Sequence, residues 1–391
     1  MRAPRSRFGT RWSGLLLCVS VSLLLLYRLH ISSSLLPYPL FSSSCPATPP
    51  YPSLVAESDS FNWTTITQHY LVESFAQLPI SEQAHRPRIQ HDFSRRGAGF
   101  IDRSLRKRQR AAVKATFDHF WASYRSRMSG HTHSGGSLGD KKALHLDSLD
   151  TLWIMGLRRD FEQAVVAITD YGFAHKDKVI TIAETARHLN SLISAYDLTF
   201  CKDRRLLSAA VQLGNMLCTF FDTPNRMPVT HWNSTKAAHG DIQEPAQQST
   251  ITDLASCNLA FTRLSQLTGN MRFYDTTTRI TTMLASQQSS TKIPGLWPSG
   301  INPTTEDFTT DNTFNPDTLT HAHLAQMSQL LHHHPSTPHA SMLQTATEAL
   351  IQNILFRPIT PTNESVLAAS SAYTIIQPKT QTRQVTLTHN V

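Results

Sequence analysis

Arg110 to Tyr124 reads RAAVKATFDHFWASY. Its apolar residues Val113, Phe117, Phe120, Trp121 and Tyr124 fall at i, i+4, i+7, i+8 and i+11. At about 100° of turn per residue that spacing gathers them on one face of a helix. The same period returns along the chain. Leu206, Leu207, Ala210, Val211, Leu217, Phe220 and Phe221 mark a second helix. Leu254, Cys257, Phe261, Leu264 and Leu267 mark a third, stopped by Thr268-Gly269, because glycine takes the left-handed conformation that ends helices. Leu350, Ile351, Ile354 and Leu355 continue the pattern. Loops rich in Pro and Gly separate these runs, as at Thr223–Pro228 and Pro294–Pro303. Helix, loop, helix at this spacing predicts stacked αα-hairpins in a bundle, a solenoid or a closed toroid. No run alternates with period two for long enough to predict a sheet, so the expected fold class is all-α.

Outside the helices the chain changes character. Arg2, Arg5, Arg7 and Arg11 precede the apolar run Gly14–Tyr27 (GLLLCVSVSLLLLY). Positive charge before such a run holds the N-terminus in the cytosol, and no small-residue cleavage site follows. Residues 1–13 are therefore read as a cytosolic tail and 14–28 as an uncleaved signal anchor. Residues 29–69, rich in Ser and Pro, are read as a flexible stem, because that composition buries no core. Everything from residue 70 onward is assigned to one lumenal domain. The expected location is the ER or Golgi membrane, single-pass with the domain in the lumen.

The sequons Asn62-Trp-Thr, Asn233-Ser-Thr and Asn363-Glu-Ser agree with that compartment. Cys45, Cys201, Cys218 and Cys257 lie beyond the anchor; Cys201 and Cys218 are candidates to pair, which spacing alone does not decide. No Cys/His spacing indicates zinc, and His332-His333-His334 reads as a solvated loop. The formal charge of +8 invites a nucleic-acid partner. It concentrates before the anchor and between Arg95 and Arg110, without interleaved aromatics or a recognised nucleic-acid motif, so that partner is excluded.

Candidate carboxylates for acid–base chemistry are Asp147, Asp150, Glu184, Asp253 and Asp317. Each stands beside an apolar segment, and a carboxylate at a helix start is more often a cap than a catalyst. Asp147–Leu157 (DSLDTLWIMGL) closely resembles a signature of the class I α-1,2-mannosidases, glycoside hydrolase family 47. Seven further segments match that family in order: 70–93, 110–124, 192–198 (LISAYDL), 221–228 (FDTPNRMP), 261–269 (FTRLSQLTG), 294–303 and 355–361 (LFRPITP). The resemblance implies an (αα)7 barrel that trims α-1,2-linked mannose from high-mannose N-glycans with inversion, using a bound calcium ion. Glu184, in Ile182-Ala-Glu-Thr-Ala-Arg187, matches the family's general acid. Asp317, in DTLTHAHL, matches the aspartate of an Asp-Ser-x-Tyr-Glu-Tyr-Leu segment. These two are the expected catalytic pair. Asp147, Arg187 and Asp253 are the expected sugar-binding residues, with organisation of the barrel wall the competing role for Asp147 and Asp150.

Departures from the family pattern are specific. Ala183 replaces an aromatic, and one residue fewer separates Glu184 from Arg187. His321 and Ala260 stand where the family has glutamates. The sequence contains neither the family's Arg-Pro-Glu-Thr segment, which carries a proposed base, nor its Asn-Thr-Glu segment, whose threonine holds calcium. These departures predict a barrel incomplete at its C-terminal end, no protein ligand set for the metal, and impaired or lost turnover. A non-catalytic binder of mannose-rich glycans, or a decaying gene product, is the alternative.

Overall fold

The structure, a computed structural model, describes residues 61–79, 100–129, 138–171, 173, 179–315, 320–331, 337–358, 367–376 and 383–388. Residues 1–13 (read as a cytosolic tail), 14–28 (read as an anchor) and 29–60 (read as stem), with Asp317, the His332–His334 run and Asn363, lie outside these residues. Among the described residues no helix is long and apolar enough to cross a membrane.

Among the described residues, helix α1 (Phe100–Ser129) leads into four helical hairpins. These are α2 (Leu138–Ile154) with α3 (Arg158–Tyr171), α4 (Ile182–Leu198) with α5 (Arg204–Thr219), α8 (Asn258–Thr268) with α9 (Met271–Gln287), and α10 (Thr320–Leu330) with α11 (His339–Asn353). Short helices α6 (Ser234–His239) and α7 (Ile251–Ala255) lie between the second and third hairpins. The first members form one layer, α2 against α4, α4 against α7 and α8, and these against α10. A second layer runs from α3 to α5 to α9. This is an arc of the expected αα-toroid.

Each hairpin is held by the apolar face its sequence period creates. Leu149 and Leu152 of α2 and Leu189 and Leu192 of α4, two helices that pack on each other, are all without solvent exposure. Burying one such leucine contributes roughly 1.5–3 kcal/mol. On α5, Leu206, Ala210, Leu213 and Leu217 are equally buried, and Asp203 caps the helix through Arg205 N. Helix α8 ends at Gly269, whose φ of 72° is the left-handed cap expected there.

One glycine sets a close approach. A Cβ at Gly214 of α5 would stand 2.6 Å from Leu264 Cδ2 and 3.0 Å from Phe273 Cε1, both buried. Gly214→Ala is expected to destabilise the domain by about 1–3 kcal/mol, read as a lower denaturation midpoint at unchanged slope.

Several expectations are corrected. On α1, Trp121 is buried and packs with Phe117 and Tyr124, but Val113 and Phe120 are 59% and 67% exposed. The helix docks on the side of Lys114, which donates to the Met155 carbonyl at 2.9 Å, and of Arg125, which pairs with Asp160 at 2.9 Å. Val113 and Phe120 sit round the cylinder from that stripe. The last helix stops at Asn353, so Leu355 belongs to a strand rather than continuing the period.

Small antiparallel sheets, absent from the sequence expectation, join the loops. They are β1 (Val179–Thr181) with β2 (His231–Asn233), β3 (Ser249–Thr250) with β4 (Gly300–Ile301), β6 (Leu355–Phe356) with β7 (Ala368–Ala369), and β5 (Thr313–Phe314) with β8 (Ser371–Ile376) and β9 (Arg383–Thr388). In the β8–β9 pair Ser371 faces Thr388 and Ile376 faces Arg383. The two- and three-residue strands β1 to β5 take partners far along the chain, so local alternation does not reveal them. Cys218 is a free, buried thiol and Cys201 is disulfide-bonded elsewhere, so these two do not pair.

Residues 61–69, read as the end of the stem, pack on the helical domain. Trp63 is 3% exposed, donates from Nε1 to the Phe173 carbonyl at 2.7 Å, and lies 5.3 Å from the Trp232 ring. The amides of His69 and Tyr70 donate to the Asp222 carboxylate, and Ala76 N donates to Asp275 Oδ1 at 2.9 Å. Asp275 also pairs with Arg226, a non-glycine residue at φ 62°. A single buried tryptophan outweighs the polar composition around it.

Candidate functional site

Two first-layer helices, α4 and α7, begin in the same way. Strand β1 ends at Thr181, whose hydroxyl accepts from Glu184 N at 3.3 Å and so caps α4. Strand β3 ends at Thr250, whose hydroxyl accepts from Asp253 N at 3.1 Å and caps α7. Thr-x-x-acid at both places puts a carboxylate at the third helical position, where the helix dipole favours negative charge.

The two carboxylates differ in what they do next. Thr250 Oγ1 donates back to Asp253 Oδ2 at 2.8 Å, so Asp253 is engaged in its own cap. The carboxylate of Glu184 is exposed and has no hydrogen-bond or ion-pair partner among the described residues. One turn later Arg187 reaches across to α2, with Nη2 3.1 Å from Asp147 Oδ2. His188 Nε2 stands 3.9 Å from the other Asp147 oxygen. The structure thus joins Asp147 and Arg187 across the α2–α4 seam, leaves Glu184 exposed one turn earlier on α4, and places Asp253 in the cap of α7. Asp317 is outside the described residues.

Burial pushes Asp147 above the usual carboxylate range, the Arg187 charge opposes this, and the Asp150 charge adds to it. Arg187 is 60% exposed on its side chain, so this pair contributes less than about 1 kcal/mol to stability. Its significance is positional: the guanidinium is tethered at one end and open to solvent along the rest, a donor array suited to sugar hydroxyls. Asp150 accepts from Thr151 N and Oγ1 within its own helix. Burial pushes His145, two residues before Asp147, below the usual imidazole range. His145 and His188 were not singled out from the sequence; their only signal there is adjacency to the Asp147 and Arg187 motifs.

Ala260, where the resemblance places a glutamate, is 1% exposed and packs as a methyl in the core of α8. His321 falls in the first turn of α10. A calcium ion takes six to eight oxygen ligands, commonly including carboxylates. Among the described residues no group of three or more His, Cys, Asp and Glu side chains is gathered for a metal. The described residues gather no such set for the implied ion, and no chemical step is assigned to it.

A cavity of about 320 Å³ lies elsewhere, between His69 and Phe75 of the 61–79 segment and Asp222, Arg272 and Asp275 of the helical domain. None of the expected site residues lines it.

The family model of glycosyl hydrolase family 47 matches residues 116–389. The human endoplasmic reticulum mannosyl-oligosaccharide 1,2-alpha-mannosidase is 34% identical over 206 residues, 51% of this chain and 28% of that protein. The Arabidopsis thaliana mannosyl-oligosaccharide 1,2-alpha-mannosidase MNS1 is 31% identical over 212 residues, 50% of this chain and 36% of that protein. The alpha-1,2-mannosidase from Trichoderma reesei superposes with a TM-score of 0.57 at 23% identity, covering 68% of this chain and 59% of that one. The matches span about a third of the length of these curated relatives. With more than half of its residues under the family model and its helices in the fold of a solved mannosidase, the chain belongs to glycosyl hydrolase family 47.

Proposed function

We propose that the chain is a mannosyl-oligosaccharide α-1,2-mannosidase-like protein of the secretory pathway that engages α-1,2-linked mannose of high-mannose N-glycans. The domain stands in the ER or Golgi lumen behind the tail (1–13), the anchor (14–28) and the stem. The observation that carries the reading is the α2–α4 seam, where the unpartnered Glu184 carboxylate lies one turn from Arg187, itself held by Asp147. Family membership and the relatives' names support the substrate class.

Inverting hydrolysis needs one carboxyl to protonate the leaving oxygen and another to activate water on the opposite face. Glu184 takes the first role and Asp317 the second; Asp147 and Arg187 orient the sugar. Turnover is impaired, because Ala260 brings no carboxylate and Asp253 is committed to its helix cap. The same observation favours a second reading, glycan binding without hydrolysis.

Full-length protein in mild detergent, mixed with a labelled high-mannose N-glycan, separates these readings. Saturable binding is expected, with mannose release at least about 100-fold slower than that of the human relative, the usual scale for a lost acid–base group. Binding with no release selects the second reading. Folded protein that neither binds nor releases mannose overturns both.

A further inference from the structure

Of the three sequons, two fall in described structure, and they differ in what their asparagine does. Asn62 is exposed. Its Oδ1 accepts from Thr64 N at 3.0 Å and from Thr64 Oγ1 at 2.7 Å, and its carbonyl accepts from Thr65 N and Oγ1 at 3.2 and 2.8 Å. All four bonds use oxygens of Asn62. Its Nδ2 has no acceptor among the described residues. The next residue, Trp63, is buried and hydrogen-bonded to Phe173, which pins this turn to the domain with Asn62 facing out.

Asn233 is placed otherwise. It caps α6, with Oδ1 accepting from Thr235 N at 2.9 Å and Lys236 N at 3.1 Å. It is half-buried between Trp232, with no exposure, and Ser234, at 4%. A bulky group there has to leave through a strand–helix corner.

We infer that Asn62 is an N-glycosylation site of the folded protein. The inference rests on the lumenal reading above, since the donor is a lipid-diphosphate-linked oligosaccharide presented in that compartment. In the transfer, Asn62 Nδ2 bonds to C1 of the reducing-end sugar. The C1–O bond to the diphosphate breaks, and one amide proton departs, leaving the lipid diphosphate as leaving group. None of the hydrogen bonds made by Asn62 is lost, because the amide keeps its oxygen and one N–H. A large solvated glycan is accommodated on an exposed turn without disturbing the core.

The test is expression of the full chain in a eukaryotic cell with two independent readouts. Protease protection in intact microsomes reports lumenal entry without reference to glycans. Peptide mass spectrometry after glycoamidase digestion in heavy-oxygen water reports conversion of Asn62 to labelled aspartate. The expected result is a protected chain whose Asn62 peptide is labelled, with the label lost in both Asn62→Gln and Thr64→Ala. A protected chain with unlabelled Asn62 overturns the inference and leaves the lumenal reading standing. An unprotected, unlabelled chain overturns both.

Discussion

Acidification from pH 6.5 to pH 4 is expected to remove several kcal/mol of stability at the α10–α11 hairpin. His339, at the first position of α11, is 3% exposed, and neither ring nitrogen has a hydrogen-bond partner. Burial pushes it down to about 4. His323 of α10 is pushed down to about 4 by burial and by the nearness of His339. The unfolded chain takes up protons on both imidazoles from about pH 6.5 downward, whereas the folded chain stays neutral until about pH 4. Stability is therefore full above that window and falls as pH drops through it, by about 2–3 kcal/mol per histidine. Asp147, raised by burial, binds protons more readily when folded and partly offsets the loss.

Denaturant midpoints measured every half unit from pH 7.5 to 4 would show the slope. His339→Leu removes a buried ring with two unsatisfied nitrogens, so its stability at pH 7 is expected to match or exceed the parent's. Its pH slope should shrink by about one proton. A His323→Leu/His339→Leu double variant that keeps the full slope would place the effect elsewhere.

The helices were legible because burial repeats at the helical period and ends at readable stops. Leu206 to Leu217 and the Gly269 cap needed no tertiary information. Legibility failed where a distant residue decides. Trp63 is buried by Phe173 and Trp232, more than a hundred positions away, so a polar, Pro-rich surrounding gave the wrong expectation for its segment. On α1, five apolar residues defined an arc wider than the docked stripe, and only Lys114 and Arg125 reveal which side faces the hairpin. For the site, the sequence offered candidate residues but not their relation. That Arg187 would reach Asp147 across the seam depends on how α2 lies on α4. The equal spacing of Thr181 to Glu184 and Thr250 to Asp253 was present in the sequence. It does not tell which carboxylate its threonine holds; the reciprocal bond at Thr250 does.

That difference between two matched carboxylates sets the last expectation. Glu184→Gln keeps the size, the Thr181 cap, which uses the Glu184 backbone N–H, and the helix, and removes only the exchangeable proton of an unpartnered side chain. Residual mannose release is expected to fall by about 10²–10⁴-fold, the range for a general acid. Glycan affinity and denaturation midpoint should stay near those of the parent, because no contact is lost. Asp253→Ala should do the reverse. It removes the acceptor of the Thr250 hydroxyl and a negative charge from the first turn of α7, destabilising the domain by about 0.5–2 kcal/mol. Its release rate per folded molecule should change little. Both variants need the same pair of measurements, mannose release at saturating glycan and an unfolding curve. If Asp253→Ala abolishes release at unchanged stability, Asp253 touches the sugar and the assignment of its carboxylate to the cap is wrong. If Glu184→Gln leaves release intact, the acid is a different group and the α2–α4 seam is not the catalytic face.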